Sequence, residues 1–435
     1  MRLVKSVSIS LIAKLISFVI AIPTSIIMAR YLGPSGRGVF AILATITAVA
    51  LQFGNFGLHS SGIYFSTKDK NKIPEIAGTL IIFGLAIGLA IGLGISLLSI
   101  FFPKLVLGDI PLLFLAITLV ALPFAFIAQF LQNLLLGMQR IYEYNFVDVA
   151  SKLLTLFAII LLFLVFRRGV FALIVVSTIS TIITALVFTF FVREQTPILF
   201  KLDRSLLVKM FNYGFKAYIA SLFAFLVIRS DVLLVNYFCG TANVGLYTLA
   251  VSLTDWLLLV PISTAAMLFP KAALIQDKSS ELTRKVSRYI VAVMGLTCLT
   301  AAVFADPIIP LVYGRAFAPS VNAFLWLLPG IFFLSLETIY MQDFAARGMP
   351  PIVYINPGIG FLVNLGLNLI LIPRVGFIAA SMTSSLAYLL MFIITITYFK
   401  SISGASYRDI LVLKRSEIIE LLHIWRDKVI AIRAM

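Results

Sequence analysis

The chain has 435 residues, of which 61% are hydrophobic and 12% are charged. Soluble domains carry about 25% charged residues, so this composition excludes an ordinary soluble domain. The net charge of +16 would suit a nucleic-acid partner, but the basic residues lie between long apolar runs, a distribution that indicates membrane topology instead.

Apolar runs of about 20 residues or more recur along the whole chain, and each could cross the hydrocarbon core of a bilayer as a helix. The strands of a membrane barrel would instead appear as alternating segments of about ten residues. The sequence therefore predicts an all-α integral membrane protein with twelve transmembrane spans. The predicted spans are 5–29, 39–65, 76–101, 111–136, 146–166, 170–192, 211–237, 245–269, 286–312, 321–345, 352–372 and 377–399.

The basic residues are distributed unevenly between the two sides of this arrangement. Of the 34 Lys and Arg residues, 23 fall in the tail or in loops on the side of the N-terminus. Seven fall on the opposite side, Arg30 and Arg37 among them. By the positive-inside rule, both termini are expected to be cytoplasmic, in a multi-pass protein of the cell membrane. Lys14 interrupts the first apolar run, which argues against a cleaved signal peptide.

The two halves of the chain repeat one another. The glycines at positions 33 and 38 recur at positions 240 and 245, a shift of 207 residues. Each copy holds six spans, and an even number leaves both copies in the same orientation, related by an axis along the membrane normal. The predicted parts are an N-terminal lobe (1–192), a cytoplasmic linker (193–210), a C-terminal lobe (211–399) and a tail (400–435).

Apolar and basic residues alternate in the tail from Tyr407 onward. This pattern is typical of a basic amphipathic helix that lies on the inner leaflet of the membrane. Binding of a partner protein is the alternative interpretation.

Polar side chains follow one face of the first, second and eighth spans. Steps of three or four residues keep them on that face. Small hydroxyl side chains alone could join helices to each other. An ammonium inside a span needs a partner or water, so Lys14 is predicted to line a cavity. The stripes comprise Ser6, Ser10, Lys14, Ser17 and Thr24; Thr45, Gln52, Asn55 and His59; and Thr248, Ser252 and Asp255.

Further charges lie inside other spans. Lys216 and Arg229 are thirteen residues apart in the seventh span, on nearly opposite faces, and Arg229 is the better cavity candidate. Lys216 could reach the membrane surface instead, and Asp231 could be the counter-charge of Arg229. Asp148 lies four residues before Lys152, so the two are expected to pair.

The predicted site residues fall into two sets. The sequence predicts neither a metal site nor a catalytic constellation. A GxxxxGK[ST] loop is absent from the sequence, so energy from ATP is not expected at this chain. His59 is more often a packed, hydrogen-bonded residue than a switch. The cavity set is Lys14, Arg229, Lys216, Lys152, Asn55, His59 and Gln52. The set for coupling to an ion (H⁺ or Na⁺) is Asp255, Glu337, Asp231 and Asp148.

Two segments resemble a known family. ARYLGPSGRGVFAILA (29–44) and RSDVLLVNYFCGTANVGLYTLAV (229–251), followed by Phe269 and Pro270, are similar to the polysaccharide-transport (Wzx-type O-antigen and oligosaccharide) flippases. These belong to the superfamily that also holds multidrug exporters and lipid II flippases. The strong local similarity is confined to these segments, and it is not specific for a substrate.

The resemblance implies two six-helix lobes around a central cavity that opens alternately to each side of the membrane. It also implies a polyprenyl-pyrophosphate-linked oligosaccharide as substrate, moved from the inner to the outer leaflet, with cations of the first and seventh spans facing the cavity. Polysaccharide polymerase and glycosyltransferases of the same pathway would be partners. Desolvated cations would suit the pyrophosphate, and polar walls would suit the sugars.

Two other functions remain open at this point. A cation-coupled drug exporter of the same fold should place carboxylates in its cavity, whereas the N-terminal lobe carries Lys14 and Lys152 against Asp148 alone. A membrane polysaccharide polymerase or glycosyltransferase usually needs a sizeable loop outside the membrane, and none is predicted here.

Overall fold

The structure, a computed structural model, describes residues 2–165, 169–275 and 279–417, and the side chain of Lys216 lies outside the described part. The described chain is almost entirely helical. The helices are α1 (Arg2–Gly54), α2 (Leu58–Lys68), α3 (Ile73–Phe101), α4 (Pro103–Val106), α5 (Leu112–Val120), α6 (Leu122–Gly137), α7 (Ile141–Ile160), α8 (Val170–Gln195), α9 (Arg204–Cys239), α10 (Thr241–Leu257), α11 (Leu259–Ile275), α12 (Ser279–Tyr313), α13 (Ser320–Ala346), α14 (Ile352–Val375), α15 (Ile378–Ser403) and α16 (Tyr407–Leu411).

The helices account for twelve crossings of a membrane. Ten of them are long and apolar enough to span it, and the pair α10 and α11, bent by 43°, adds an eleventh crossing. The 53 residues of α1 would extend about 80 Å, more than twice the hydrocarbon thickness, and this helix is kinked at Gly33. It therefore supplies two crossings. The predicted multi-pass, all-helical fold is confirmed.

The repeat is visible in the backbone. Gly33 has φ 63° and ψ −175°, and Gly240, 207 residues later, has φ 81° and ψ 171°. Both conformations lie in a region that only glycine enters without steric cost. Each glycine therefore ends the first helix of its lobe and redirects the chain into the second, which explains why these positions recur.

One predicted span is interrupted. The second span continues from α1 into α2 only after a break at residues 55–57. Asn55 stabilises this break, because its Oδ1 accepts from the backbone N–H of Gly57 at 2.8 Å and its Nδ2 donates to the carbonyl of Gln52 at 3.0 Å. The prediction treated residues 39–65 as one span and so missed this break.

The lobes touch at both ends of the bundle. At the end where α1 turns (the Gly33 end), a Cβ on Gly38 would lie 1.8 Å from the carbonyl oxygen of Thr241, and one on Gly245 would lie 1.9 Å from that of Pro34. The guanidinium of Arg30 donates to the carbonyl of Val312 at 2.7 Å, near the C-terminus of α12. The glycines of the repeat thus allow the second helices of the two lobes to pack backbone against backbone.

At the other end, where α1 begins (the terminal end), a second pair of glycines allows the two lobes to pack backbone against backbone. A Cβ on Gly57 would lie 2.4 Å from the carbonyl oxygen of Gly214, and the converse distance is also 2.4 Å. The hydroxyl of Tyr218 donates to the carbonyl of Phe53 at 3.1 Å. Contacts therefore hold α2 against α9 at this end.

Residues 196–203 of the linker are non-helical, since α8 ends at Gln195 and α9 begins at Arg204. The linker packs tightly on α3, where a Cβ on Gly78 would lie 1.7 Å from the carbonyl oxygen of Leu199. The Asp203 side chain caps α9 by accepting from the N–H of Leu206 at 3.0 Å.

The predicted tail helix is interrupted within its described part. After α16 the chain is non-helical at 412–414, and Ile410 is fully buried against the C-terminal lobe instead of facing lipid. Arg288 of α12 holds the segment by donating from Nε to Glu417 at 2.8 Å, and its hydrogen bond keeps the pKa of the Glu417 carboxyl below the usual value. Residues 418–435 lie outside the described residues.

Candidate functional site: an inter-lobe cavity and a cavity in the N-terminal lobe

A cavity of about 330 Å³ lies between the two lobes. The N-terminal lobe contributes α1 residues from both sides of the kink, and the C-terminal lobe contributes residues of α9 and α10. We call it the inter-lobe cavity. It is lined by Ala21, Thr24, Ser25, Met28, Arg37, Phe40, Ala41, Ala44, Thr45, Arg229, Val232, Thr248, Ser252 and Trp256.

The polar stripes meet here as the repeat predicts. Thr45 and Ser252, equivalent under the shift of 207 residues, both line the inter-lobe cavity, and so does Thr248. The rings of Phe18 and Trp256, one from each lobe, make an edge-on contact with centroids 5.7 Å apart. The stripes of the two lobes therefore face a common space.

Arg37 lies inside this cavity, although its sequence position suggested a loop on the outer side. Its side chain is only 7% exposed. One terminal nitrogen donates to the carbonyl and the hydroxyl of Ser25 at 3.2 and 3.1 Å, and the other donates to Ser252 at 3.2 Å. Its Nε has no partner within the described chain. A buried guanidinium with only neutral partners and an unsatisfied donor is suited to an anionic ligand.

Arg229 enters the same cavity from α9. It forms an ion pair with Asp255 of α10 at 2.8 Å, and both side chains are 37% exposed. Asp231 is therefore not its direct partner, contrary to the interpretation from sequence. Helix geometry explains the difference, since residues two apart point about 200° from each other while α10 packs alongside. Arg37 and Arg229 are the two cationic residues that line this cavity.

A second cavity, of about 530 Å³, lies within the N-terminal lobe among α1, α6, α7 and α8. We call it the N-lobe cavity. Asp148 and Lys152 line it and form the predicted pair at 2.7 Å. Asp148 also accepts from the hydroxyl of Ser17 at 3.1 Å. Lys152 thus contributes to a cavity as predicted, but as a member of a neutral pair.

Asp231 belongs to a separate buried network in the C-terminal lobe. Its Oδ2 accepts from Ser384 of α15 at 3.2 Å and from the hydroxyl of Tyr247. Its Oδ1 has no partner in the described part of the chain. Asn364 of α14 continues the network by donating to Ser384 at 3.2 Å, as expected for a residue that joins helices. The carboxyl is 1% exposed, and its hydrogen-bond partners are uncharged hydroxyl groups.

Three residues of the second span do not line these cavities. The amide of Gln52 donates to Ser221 of α9 at 3.2 Å. Asn55 is 1% exposed and is engaged in the break between α1 and α2. His59 contacts the Asn55 side chain at 3.1 Å, the packed arrangement that was favoured for it. The structure thus places Gln52 at the contact with α9 and Asn55 and His59 at the helix break, and their role in a substrate cavity stays a prediction.

The remaining candidates are placed as follows. Lys14 is exposed, three residues from the cavity-lining Ser17, and forms no hydrogen bond or ion pair with a described residue. Glu337 is buried in α13, at 6% exposure, without a hydrogen bond to the described chain. Within residues 2–165, 169–275 and 279–417, no three His, Cys, Asp or Glu side chains are grouped to hold a metal ion.

Sequence reasoning missed Arg37 because its neighbours Gly33, Pro34 and Gly38 suggested an exposed turn. The repeat offered a usable signal. Position 244, equivalent to Arg37, holds Val244, which is fully buried in the second helix of its lobe. A charge at the counterpart of a buried position requires an inward-facing partner or ligand.

Known proteins resemble the chain in sequence and in fold. A protein-family model described as "polysaccharide biosynthesis protein" matches residues 27–322. An uncharacterized membrane protein of Methanocaldococcus jannaschii is 22% identical over 429 residues, covering 91% of this chain and 84% of that protein.

Solved structures share the fold at low sequence identity. Lipid II flippase MurJ in an inward closed conformation has a TM-score of 0.78 at 14% identity and covers 92% of this chain and 88% of its own. An inward-facing multidrug-resistance transporter of the MOP superfamily has a TM-score of 0.72 at 15% identity, with coverage of 90% and 96%. A MOP superfamily transporter from Pyrococcus furiosus has a TM-score of 0.61 at 14% identity, with coverage of 92% and 96%.

Proposed function

Because the chain belongs to the polysaccharide biosynthesis protein family and has the fold of MOP superfamily transporters, we propose that it is a flippase for a lipid-linked oligosaccharide. In this proposal the substrate is carried on a polyprenyl pyrophosphate and moves from the inner to the outer leaflet of the cell membrane. The terminal end of the bundle is cytoplasmic. The chain acts as a transporter and not as an enzyme.

The observation that carries this proposal is the pair of guanidinium groups, one from each lobe, in the inter-lobe cavity. Arg37 and Arg229 are the cationic residues of its lining. A pyrophosphate removed from water requires charge-assisted hydrogen bonds, and the guanidinium fork matches phosphate oxygens in a bidentate manner. A ligand bound by both arginines would bridge the lobes, so that binding and the relative motion of the lobes are linked.

The mechanism follows from the contacts between the lobes. The Gly57–Gly214 contact holds them together at the terminal end, and the Gly38–Gly245 contact does so at the Gly33 end. Alternating access requires that these contacts open in turn, so that the inter-lobe cavity faces first one side of the membrane and then the other. The lipid tail would stay in the bilayer and pass between the lobes, whereas the sugars travel through the polar interior.

The proposal is tested first at the basic residues. Arg229→Ala and Arg229→Gln are each expected to lower export of surface glycan at least about tenfold, since a hydrogen bond to a charged group contributes roughly 1.5–3 kcal/mol. Thr297→Ala serves as control and is expected to change export little, because its hydroxyl donates to the carbonyl of Val293 in its own helix at 2.7 Å and the residue does not line the cavity. The measurement is lectin or antibody labelling of glycan on cells that carry the variant in place of the natural chain.

Cells with normal membrane levels of both charge variants and undiminished glycan export would contradict the proposal. Drug resistance conferred by the chain, without a glycan defect on its deletion, would favour a cation-coupled exporter. The N-lobe cavity argues against that function, because Lys152 neutralises Asp148.

For the coupling ion we propose Asp231, among the four acidic candidates. Its buried carboxylate has one unpartnered oxygen and accepts hydrogen bonds from the hydroxyls of Ser384 and Tyr247, and oxygen atoms are the ligand type that suits H⁺ or Na⁺. Asp231→Asn is expected to abolish the dependence of transport on an imposed Na⁺ or proton gradient in proteoliposomes. Asp409→Asn, in α16 and outside the predicted membrane spans, is the control. Transport by Asp231→Asn with the full gradient dependence of the natural chain would exclude this site.

A further inference from the structure

Hydroxyl side chains are the most numerous polar groups in the lining of the N-lobe cavity. Two glutamine amides, those of Gln129 and Gln132, and the pair Asp148–Lys152 complete the polar part of the lining. At about 530 Å³ the cavity lies within the usual range of small-molecule sites, roughly 300–1,000 Å³. The hydroxyl residues are Ser17, Thr24, Ser151, Thr155, Ser177, Ser180, Thr181 and Thr184.

Most of these hydroxyls already donate a hydrogen bond within the protein. Thr181 donates to the carbonyl of Ser177 at 2.9 Å, and Thr184 donates to that of Ser180 at 2.8 Å. Thr155 donates in the same way to the carbonyl of Ser151 at 2.8 Å. The oxygen atoms of these hydroxyls are therefore available to a ligand as hydrogen-bond acceptors. The cavity therefore favours a ligand rich in hydrogen-bond donors.

A buried acceptor supports the same conclusion. Oε1 of Gln129 is buried and has no hydrogen-bond partner in the described chain. Leaving a buried carbonyl oxygen unsatisfied costs free energy that a donating ligand would recover. Gln129 thus points to a ligand independently of the hydroxyl residues.

The N-lobe cavity is polar without carrying net charge. Its charged lining residues, Asp148 and Lys152, form the ion pair at 2.7 Å. A carboxylate ligand only accepts hydrogen bonds, so it would face oxygen lone pairs along most of the wall. An uncharged polyol, which donates from each hydroxyl, fits this surface better than a uronic acid does.

The C-terminal lobe offers no matching wall among its described residues. There the polar side chains of α14 and α15 bond to each other, as Asn364 does to Ser384 at 3.2 Å, and both are fully buried. The N-lobe cavity, in contrast, adjoins the inter-lobe cavity, because Ala21 and Thr24 line both. A group attached to an anion at Arg37 could therefore extend into the N-terminal lobe.

We propose that the N-lobe cavity binds an uncharged sugar residue of the substrate, the one next to the pyrophosphate, through the hydroxyls of α8. This assignment rests on the proposed function and deepens it. The arginines of the inter-lobe cavity bind any pyrophosphate, and the hydroxyl wall selects for the sugar.

The test compares ligands that differ only in the sugar. The protein in lipid nanodiscs is titrated with geranylgeranyl pyrophosphate and with its glucosyl, N-acetylglucosaminyl and glucuronosyl derivatives. At least one uncharged derivative is expected to bind about tenfold more tightly than the bare pyrophosphate, and the glucuronosyl derivative no more tightly than it. The double variant Thr181→Val with Thr184→Val is expected to lose that gain and to keep its affinity for the bare pyrophosphate.

Thr189→Val is the matched control, since Thr189 lies on α8, donates to the carbonyl of Ala185 at 2.8 Å and is not part of the cavity lining. A glucuronosyl derivative that binds best, equal affinities for all four ligands, or an unchanged gain in the double variant would each overturn the sugar assignment. Absence of pyrophosphate binding, with or without sugar, would instead overturn the proposed function. Melting temperatures of the variants, measured without ligand, separate loss of binding from loss of folding.

Discussion

Arg37→Gln is expected to reduce glycan export by about tenfold to a hundredfold. The residue is buried between the lobes, its Nε is unpartnered, and its other nitrogens contact only neutral oxygen atoms. The variant keeps a donor for Ser25 but loses the charge, which is worth roughly 1.5–3 kcal/mol in a hydrogen bond to an anion. Export is measured by labelling surface glycan, together with the accumulation of lipid-linked precursor inside the cell.

Two companion variants sharpen this test. Arg315→Gln removes an exposed guanidinium at the same end of the bundle and is expected to leave export unchanged. Arg37→Lys keeps the charge without the bidentate fork and is expected to retain part of the activity. Wild-type export by a correctly inserted Arg37→Gln protein would remove Arg37 from the transport path.

Gly38→Ala is expected to prevent the closed contact at the Gly33 end. The added Cβ would lie 1.8 Å from the carbonyl oxygen of Thr241 and 3.0 Å from the nitrogen of Gly245, so backbone would have to shift. Overpacking of this kind typically costs about 1–3 kcal/mol, enough to change the ratio of two conformations by roughly fivefold to 150-fold. Export is expected to fall because one of the two alternating states is no longer accessible.

The conformational effect can be measured directly. Spin labels at Tyr31 and Arg315, both exposed and in different lobes, should report a longer distance in the Gly38→Ala protein than in its parent, with Cys239 and Cys298 replaced by serine in both. Gly94→Ala is the matched control, because a Cβ there meets nothing within 4 Å. Unchanged distances and export in Gly38→Ala would show that the lobes do not approach at this glycine in the working cycle.

The architecture could be predicted from the sequence because it depends on the local composition of each segment. Long apolar runs can be satisfied in a bilayer only as helices, and the sequence contains twelve of them. The repeat was equally readable, since Gly33 and Gly240 share a backbone conformation that other residues avoid. The pair Asp148–Lys152 followed from helical spacing alone.

The site was predicted less completely. Two of the errors concerned contacts between helices or lobes, and one concerned a break inside a predicted span. Arg229 pairs with Asp255 and not with the nearer Asp231, since α10 packs beside α9. Asn55 supports a helix break instead of facing a cavity, and a break within an apolar run leaves no mark in hydrophobicity. Arg37 was predicted in an outer loop. It lies instead in the inter-lobe cavity, where it donates to Ser252 of the other lobe, because α1 continues past its kink at Gly33.

Composition and periodicity by themselves determined that this chain crosses the membrane twelve times in two equivalent halves, because the transfer of apolar and charged groups into lipid is a property of each segment. The tertiary structure alone decided which charges meet. Two lobes must pack before Arg37 and Arg229 line one cavity, and the cost of burying a guanidinium depends on neighbours that only the folded chain supplies.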